Sequence, residues 1–323
     1  MTSSPSPAGS VDARRVAFLG PVGTFTEQAL HREAGLAAGE LVPMATMADV
    51  LFAVNEGDVD AGVVPIENAI EGTVNATIDT LAFDVDLVIQ RELVEPVSMH
   101  LLVPPGSPLD GVRVIHSIPV ATAQCRAWLR ANLPDAEVRP ANSTAEAAEI
   151  CARTADPAVA AIANARAAEV YGLERAASDI ESHPENRTRF VVVARSGIPA
   201  PTGHDKTSIV VYQRADRPGS LLAILQEFAA RSINLTLLHS RPTKTSLGDY
   251  CFLLELAGHV ADEVVADCLR TLRATQADVK FLGSYPAAGE RGGEVRDRAD
   301  AAQQAAQRWM ADLRSQIRNG STD

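Results

Sequence analysis

The sequence predicts an α/β chain: two three-layer lobes facing a cleft, followed by a smaller βαββαβ unit. Three observations carry that prediction. Short apolar runs alternate with segments of helical periodicity through the first 195 residues, the pattern of layered α/β structure. A Pro-, Gly- and Ser-rich stretch at 196–205 then interrupts the pattern and reads as a domain linker. The 323 residues also exceed what one small core needs, so two or three units are expected.

Residues 1–14 are polar, lack the apolar core of a signal peptide, and read as a flexible leader. The first lobe is expected over 15–95 together with 178–195. An apolar strand at 16–19 runs into Gly20-Pro21-Val22-Gly23-Thr24, and a helix at 26–34 starts with Thr24 or Thr26 near its N-cap. Strand, glycine turn and helix start together form an anion-binding corner. A helix at 47–55, a turn at Gly57-Asp58 and a buried strand at 61–64 come next. Pro65-Ile66-Glu67-Asn68 and Glu71-Gly72-Thr73 follow, then a helix at 74–81 and a strand at 86–93.

The second lobe is expected over 96–177. Strands at 99–103, 112–116 and 159–162 alternate with helices at 122–131 and 145–151 and with an alanine-rich helix ending at Tyr171. Ligands of such sheets bind beyond the carboxyl ends of the strands, the position of residues 20–26, 65–72 and 116–122. The chain returns through ESHPENRTRFVVVAR at 181–195, a polar loop feeding an apolar strand at 190–193. Thr188 and Arg189 stand where loop meets sheet, a place suited to holding a hydroxyl against a substrate. If both are extended, they face opposite ways.

After the linker, residues 206–286 fit the βαββαβ unit, with strands at 206–213, 235–240, 250–256 and 279–284 and helices at 219–231 and 261–275. Leu221, Leu222, Leu225 and Phe228 share one face of its first helix, and Asp216-Arg217-Pro218-Gly219 is a tight strand-to-helix turn. The extension 287–323 opens with a flexible joint and is expected to be helical from 295, with Trp309 and Leu313 on its apolar face.

Composition excludes several classes. The formal charge is −12, with 41 acidic against 29 basic residues, a poor match for duplex nucleic acid or an anionic membrane. No apolar run reaches membrane-spanning length. Cys125, Cys151, Cys251 and Cys268 form no C-x-x-C pair and read as buried thiols of a reducing, cytoplasmic setting. The turn G-P-V-G-T-F lacks dinucleotide spacing, and no P-loop, H-E-x-x-H or G-x-S-x-G is present. Neither a nucleotide site nor a metal site is therefore expected. What remains is a cleft of hydroxyls, amides and helix ends, namely Thr24, Thr26, Glu67, Asn68, Gly72, Thr73, Ser117, Thr122, Asn186, Thr188 and Arg189. Such groups suit a small anionic substrate, or serve as caps and turns.

Several stretches resemble the prephenate dehydratase family: GPVGTFTEQA at 20–29, GVVPIENAIEGTVNATIDTL at 62–81 and NRTRF at 186–190. Residues 206–286 resemble a phenylalanine-binding ACT domain through DRPGSLLAIL at 216–225, INLTLLHSRP at 233–242 and LGDYCFLLE at 247–255. The resemblance implies a two-lobed catalytic domain of periplasmic-binding-protein-like architecture and a ferredoxin-like ACT unit. It implies conversion of prephenate to phenylpyruvate with loss of water and carbon dioxide, without a cofactor. Thr188, of the T-R-F motif, would carry the chemistry. Arg189 would clamp a carboxylate or bridge to a structural one, Asn68 would face the substrate or fasten the loop, and Glu67 would anchor the loop or tune Thr188. Thr24, Phe25, Thr26, Gly72, Thr73, Ser117, Thr122, Asn186 and Phe190 would line the substrate site. Asp216, Pro218, Gly219, Ser220, Leu221, Leu222, His239, Ser240, Arg241 and Pro242 match the effector motifs. Phenylalanine would then sit between paired ACT domains of a homodimer or homotetramer, and no nucleic acid or membrane partner is implied.

The chain departs from the family pattern in three places. The second-lobe motif S-H-P-x-A-L-x-Q-C reads HSIPVATAQC at 116–125, with Ile118 where the family has histidine and His116 just before Ser117. Ser220 replaces an alanine, and His239 replaces the glutamate of E-S-R-P. Because histidine titrates near neutrality, weaker or pH-dependent phenylalanine control is expected. Arogenate dehydration, or a prephenate decarboxylation that does not aromatise the ring, is the neighbouring reading. A pure amino-acid sensor is the non-enzymatic one.

Overall fold

The structure, a computed structural model, describes residues 13–213, 217–243, 249–276, 278–288, 308–310, 312 and 314. The leader and most of the C-terminal extension lie outside them, though 308–310, 312 and 314 are helical. In chain order the first elements are β1 (Arg15–Leu19), α1 (Phe25–His31), α2 (Ala34–Ala37), β2 (Glu40–Met44), α3 (Met47–Glu56), β3 (Ala61–Asn68), β4 (Gly72–Thr73), α4 (Asn75–Asp79), a π-helical turn (Thr80–Asp84) and β5 (Val88–Pro96). The next group is β6 (His100–Val103), a 3-10 turn (Leu109–Gly111), β7 (Val114–Ser117), α5 (Pro119–Gln124), α6 (Arg126–Asn132), β8 (Glu137–Pro140), α7 (Thr144–Thr154), β9 (Val159–Ala163), α8 (Ala165–Tyr171) and β10 (Glu174–Ala177). β11 (Arg187–Ala194) returns to the first sheet. β12 (Asp205–Tyr212), α9 (Ser220–Ala229), β13 (Leu235–Pro242), β14 (Tyr250–Ala257), α10 (Glu263–Thr275) and β15 (Asp278–Pro286) complete the chain.

Three sheets result, with strand orders β2-β1-β3-β11-β5 (β4 beside β3), β10-β6-β9-β7-β8 and β13-β14-β12-β15. The first two share one construction. β1 lies between β2 and β3, parallel to both, and β7 lies between β8 and β9 in the same way. Helices leave each middle strand on one face and return on the other: α1 packs with Phe18 and Phe190, α3 with Val64 and Val191. In the second lobe α5 and α6 cover Ile115 and Ile162, and α7 and α8 cover Leu102 and Ala161. The strand order therefore reverses at the carboxyl ends of β1/β3 and β7/β9, leaving a crevice in each lobe.

The third sheet lies on the first. Val210, Leu253, Leu282 and Tyr285 share one buried cluster with Ile89, Val191 and Val193, while Ile224, Phe228 and Leu272 of its helices cover the opposite face. Contact is so close at Gly283 that an added Cβ would stand 2.5 Å from the Ile89 carbonyl oxygen, so no larger residue fits.

Some elements differ from expectation. Pro65-Ile66-Glu67-Asn68 continues β3 instead of leaving it. Pairing with β1 ends at Val63, so the missing Pro65 N–H removes no bond there, and β11 pairs with the strand out to Asn68 with a register shift at Arg189/Phe190. β2, β8 and β10 were not anticipated. All three are sheet edges without a fully buried side chain, so they carry no continuous buried apolar run. The helix expected at 122–131 breaks at Cys125 (φ −98°, ψ 3°). Among the described residues, no helix is long and apolar enough to cross a membrane.

Candidate active site and effector cavity

Asn68 ends β3 opposite Thr188 of β11. Its Oδ1 accepts the Ile70 and Glu71 N–H groups at 2.9 and 3.0 Å. The amide orientation is thereby set, and Nδ2 donates to Thr188 Oγ1 at 2.9 Å. The Thr188 oxygen accepts from the amide, so its own O–H is left to donate elsewhere. Glu95 of β5 is the other cross-strand neighbour of Thr188 and is buried. It accepts from Gln28 Nε2 at 2.5 Å and pairs with Arg32 at 2.8 Å. Burial raises its carboxyl above the ordinary value, and Gln28 and Arg32 offset only part of that. Neither Glu95 nor Gln28 was anticipated; a carboxylate inside a buried strand was the available signal.

Arg189 faces the other way. It donates to Glu67 at 2.6 Å, Glu92 at 3.2 Å and Glu255 at 2.5 Å. Glu255 lies on β14 of the third sheet and is 1% exposed. Lys206 joins the cluster at 2.8 Å from Glu92 and 3.1 Å from Glu255, and Tyr285 O–H donates to Glu255 at 3.1 Å. Burial works against the charge on Glu255, but Arg189 and Lys206 outweigh it and hold its carboxyl below the usual range. Arg189 is likewise desolvated yet kept charged by Glu255 and Glu92. A substrate-clamping Arg189 is therefore corrected: the extended backbone directs it to the face opposite Thr188, where it bridges two sheets. The side chain of Glu67 lies with it, and the hairpin register sets Thr73 beside Glu67 and Gly72 beside Asn68. Phe190 is corrected too. It is 1% exposed inside the first lobe's core with Phe18 and Leu30, so it fills the core instead of lining a cleft.

The remaining expected residues gather where the lobes meet. Thr24 caps α1, accepting from Glu27 N–H, and its hydroxyl donates to the Leu19 carbonyl at 3.0 Å. Thr26 is buried, and Phe25 packs against the cores of both lobes. Ser117 and Thr122 hydroxyls both donate to the Ile118 carbonyl, at 3.2 and 3.1 Å. Ile118 packs on the second lobe's core. His116 alternates to the opposite side of β7 from Ser117 and does not replace the family's histidine. Asn186 is buried and donates to Gln124 at 3.3 Å, joining the return segment to α5. Glu27, not anticipated, is 4% exposed and accepts from Arg166 of α8 at 2.9 Å, linking the lobes. Burial raises its carboxyl, but Gly23 N–H, Arg166 and His31 together bring it below the ordinary value.

In the third sheet, a cavity of 680 Å³ opens beside α9. Gly219, Ser220, Leu221, Leu222 and Ser240, all expected there, line it together with Tyr250. His239 and Arg241 alternate to the opposite face of β13. Arg241 holds both oxygens of Asp79 at 2.7 Å, and His239 lies 3.3 Å from Asn75 Oδ1. Their assignment to the effector cavity is corrected, because strand alternation directs them at α4 of the first lobe. Pro218 and Pro242 are exposed, and Asp216 lies outside the described residues.

The prephenate dehydratase family profile matches residues 16–197 and the ACT domain profile 207–274. A prephenate dehydratase of Mycolicibacterium vanbaalenii is 44% identical over 314 residues, covering 93% of this chain and 98% of that protein. The crystal structure of prephenate dehydratase in complex with L-Phe from Arthrobacter aurescens superposes with a TM-score of 0.84 at 39% identity, covering 93% of this chain and 99% of that one. GqqA, described as a novel type of quorum quenching acylase, superposes with a TM-score of 0.76 at 29% identity, covering 85% of this chain and 98% of its own. The chain belongs to the prephenate dehydratase family and carries the ACT domain at its C-terminal side.

Proposed function

We propose that the chain binds prephenate between its lobes and converts it to phenylpyruvate, water and carbon dioxide. The observation that carries the reading is the oriented Asn68–Thr188 pair at the lobe junction. The bond to the ring carboxylate breaks, and its electron pair enters the ring. The carbon–hydroxyl bond breaks on the opposite side, and the departing oxygen takes up a proton and leaves as water. Thr188 O–H donates to that oxygen as charge develops. Donation from Asn68 to Oγ1 polarises the hydroxyl and makes it a better donor. Neutral donors suit a dianion, and pairing Glu67 and Glu92 with cations on the far face keeps their repulsion from it. Thr24 and the α1 corner face the same junction.

Phenylalanine is read as the effector, in the cavity beside α9. β13 is a sheet edge, and Leu222, Leu238 and Tyr250 are exposed near it at 58%, 45% and 43%. A second copy covering this edge would close the site, giving a homodimer or homotetramer. All four cysteines are free and buried, and burial raises Cys125 and Cys151 to about 12 and Cys251 and Cys268 to about 11. Inert thiols of this kind suit a reducing cytoplasm.

The test is a steady-state assay with prephenate, following product by absorbance and mass, with Thr188→Ala alongside. Phenylpyruvate from the wild type is the expected result. Phenylalanine formed from arogenate, or a non-aromatic product, would move the assignment to the neighbouring reactions.

A further inference from the structure

Asn164 stands just beyond β9, at the carboxyl end of the middle strand of the second sheet. It is 0% exposed. Its Oδ1 accepts the Ala167 N–H at 2.9 Å and caps α8, while its Nδ2 has no hydrogen-bond partner among the described residues. Buried amide donors without a partner are rare in folded proteins, and each calls for an explanation. The cap itself decides where the unused donor points. The carboxamide is planar with its oxygen turned to α8, so the NH₂ group turns away from the Ala167 N–H, at the end of β9 where the crevice between β9 and β7 lies. Ser117, 1% exposed, ends β7 at that crevice.

The first lobe supplies the cover. Arg166 N–H donates to Gln28 Oε1 at 3.4 Å, and Tyr171 O–H donates to the Val22 carbonyl at 3.0 Å. A Cβ on Gly23 would stand 3.3 Å from Ala167 Cα. The α1 corner therefore closes directly over the start of α8. A donor buried by the approach of two lobes, at a strand-order reversal, is placed to meet a ligand held between them.

We propose that Asn164 is a substrate-binding residue of the second lobe, its Nδ2 donating to a carboxylate oxygen of the small dianionic acid held between the lobes. This rests on the functional reading above. Capping needs only the side-chain oxygen, so the two roles separate by substitution. Asn164→Ser and Asn164→Asp keep an oxygen for the Ala167 N–H and lose the Nδ2 amide; the aspartate has no donor, and the serine keeps only an O–H on a shorter side chain. The aspartate also sets a negative charge against the anion.

The experiment measures steady-state kinetics on prephenate, calorimetric binding of phenylpyruvate, and thermal melting for wild type, Asn164→Ser and Asn164→Asp. The serine variant is expected to raise KM and weaken phenylpyruvate binding about 10- to 100-fold, with a smaller change in kcat and a near-native melting temperature. The aspartate variant is expected to be weaker still. Wild-type KM and binding in both variants would overturn the inference and leave the functional reading standing, as would losses that merely track a lowered melting temperature. A wild type that neither turns over prephenate nor binds phenylpyruvate would overturn the functional reading and this inference with it.

Discussion

Thr188 and Arg189 are neighbours in the chain, yet they serve opposite faces of β11. At Thr188 the direct contact is neutral, one amide holding one hydroxyl at 2.9 Å, with the Glu95–Arg32 pair beside it. On the Arg189 face one guanidinium meets three carboxylates, from β3, β5 and β14. The first face can change its partners at small cost, as binding and turnover require. The second cannot, because removing either sign leaves buried charge uncompensated. A single extended strand thus joins the proposed reactive surface to a clamp between the first sheet and the ACT sheet.

The contrast is tested first at Thr188. Thr188→Ala is expected to lower kcat about 10²- to 10⁴-fold with an unchanged melting temperature, and Thr188→Ser to retain most activity. Equal loss of stability in the alanine variant would erase the distinction between the faces. Arg189→Met should do the reverse, destabilising by about 3–5 kcal/mol in denaturant melts because Glu67, Glu92 and Glu255 lose their shared cation. A stable Arg189→Met protein with raised KM would return Arg189 to the substrate.

Asn68→Asp sharpens the same comparison within one face. The aspartate still accepts the Ile70 and Glu71 N–H groups but no longer donates to Thr188. A fall in kcat of about 10- to 100-fold is expected, at near-native stability. A smaller effect is expected at the second ACT contact. Arg241→Ala breaks the bidentate bond to Asp79 and should shift the phenylalanine inhibition constant about fivefold while activity without effector changes little. The weakest effect is that of pH. Burial, with the nearby Arg241 cation, pushes His239 below the ordinary histidine value. The unfolded chain therefore takes up the proton first as pH falls, and any contribution of His239 is kept above about pH 6.5 and lost below it. Phenylalanine inhibition is expected to be flat from pH 7 to 8 and to change only on acidification. A change between pH 7 and 8 would locate the titrating group elsewhere.

Legibility in the sequence followed locality. Buried strands such as β3 and β11 announce themselves by continuous apolar runs, whereas the edge strands β2, β8 and β10 carry no such signal. Asn68 and Thr188 stood out as separate residues, but their contact spans 120 positions. His239 and Arg241 were grouped with Ser240 because they adjoin it in the chain, and the alternation of β13 separates them. Glu95, Glu27 and Asn164 gave little warning, since a carboxylate or an amide in sequence does not reveal what buries it.

By itself the sequence determined the layered α/β class, the βαββαβ unit and the positions of the motif residues, because periodicity and turn chemistry act over a few residues. Only the tertiary structure decided that Arg189 clamps the ACT sheet, that Phe190 fills the core and that Asn164 keeps an unused donor between the lobes. Those outcomes depend on strand register and on lobes closing over one another, so they are set by partners distant in the chain.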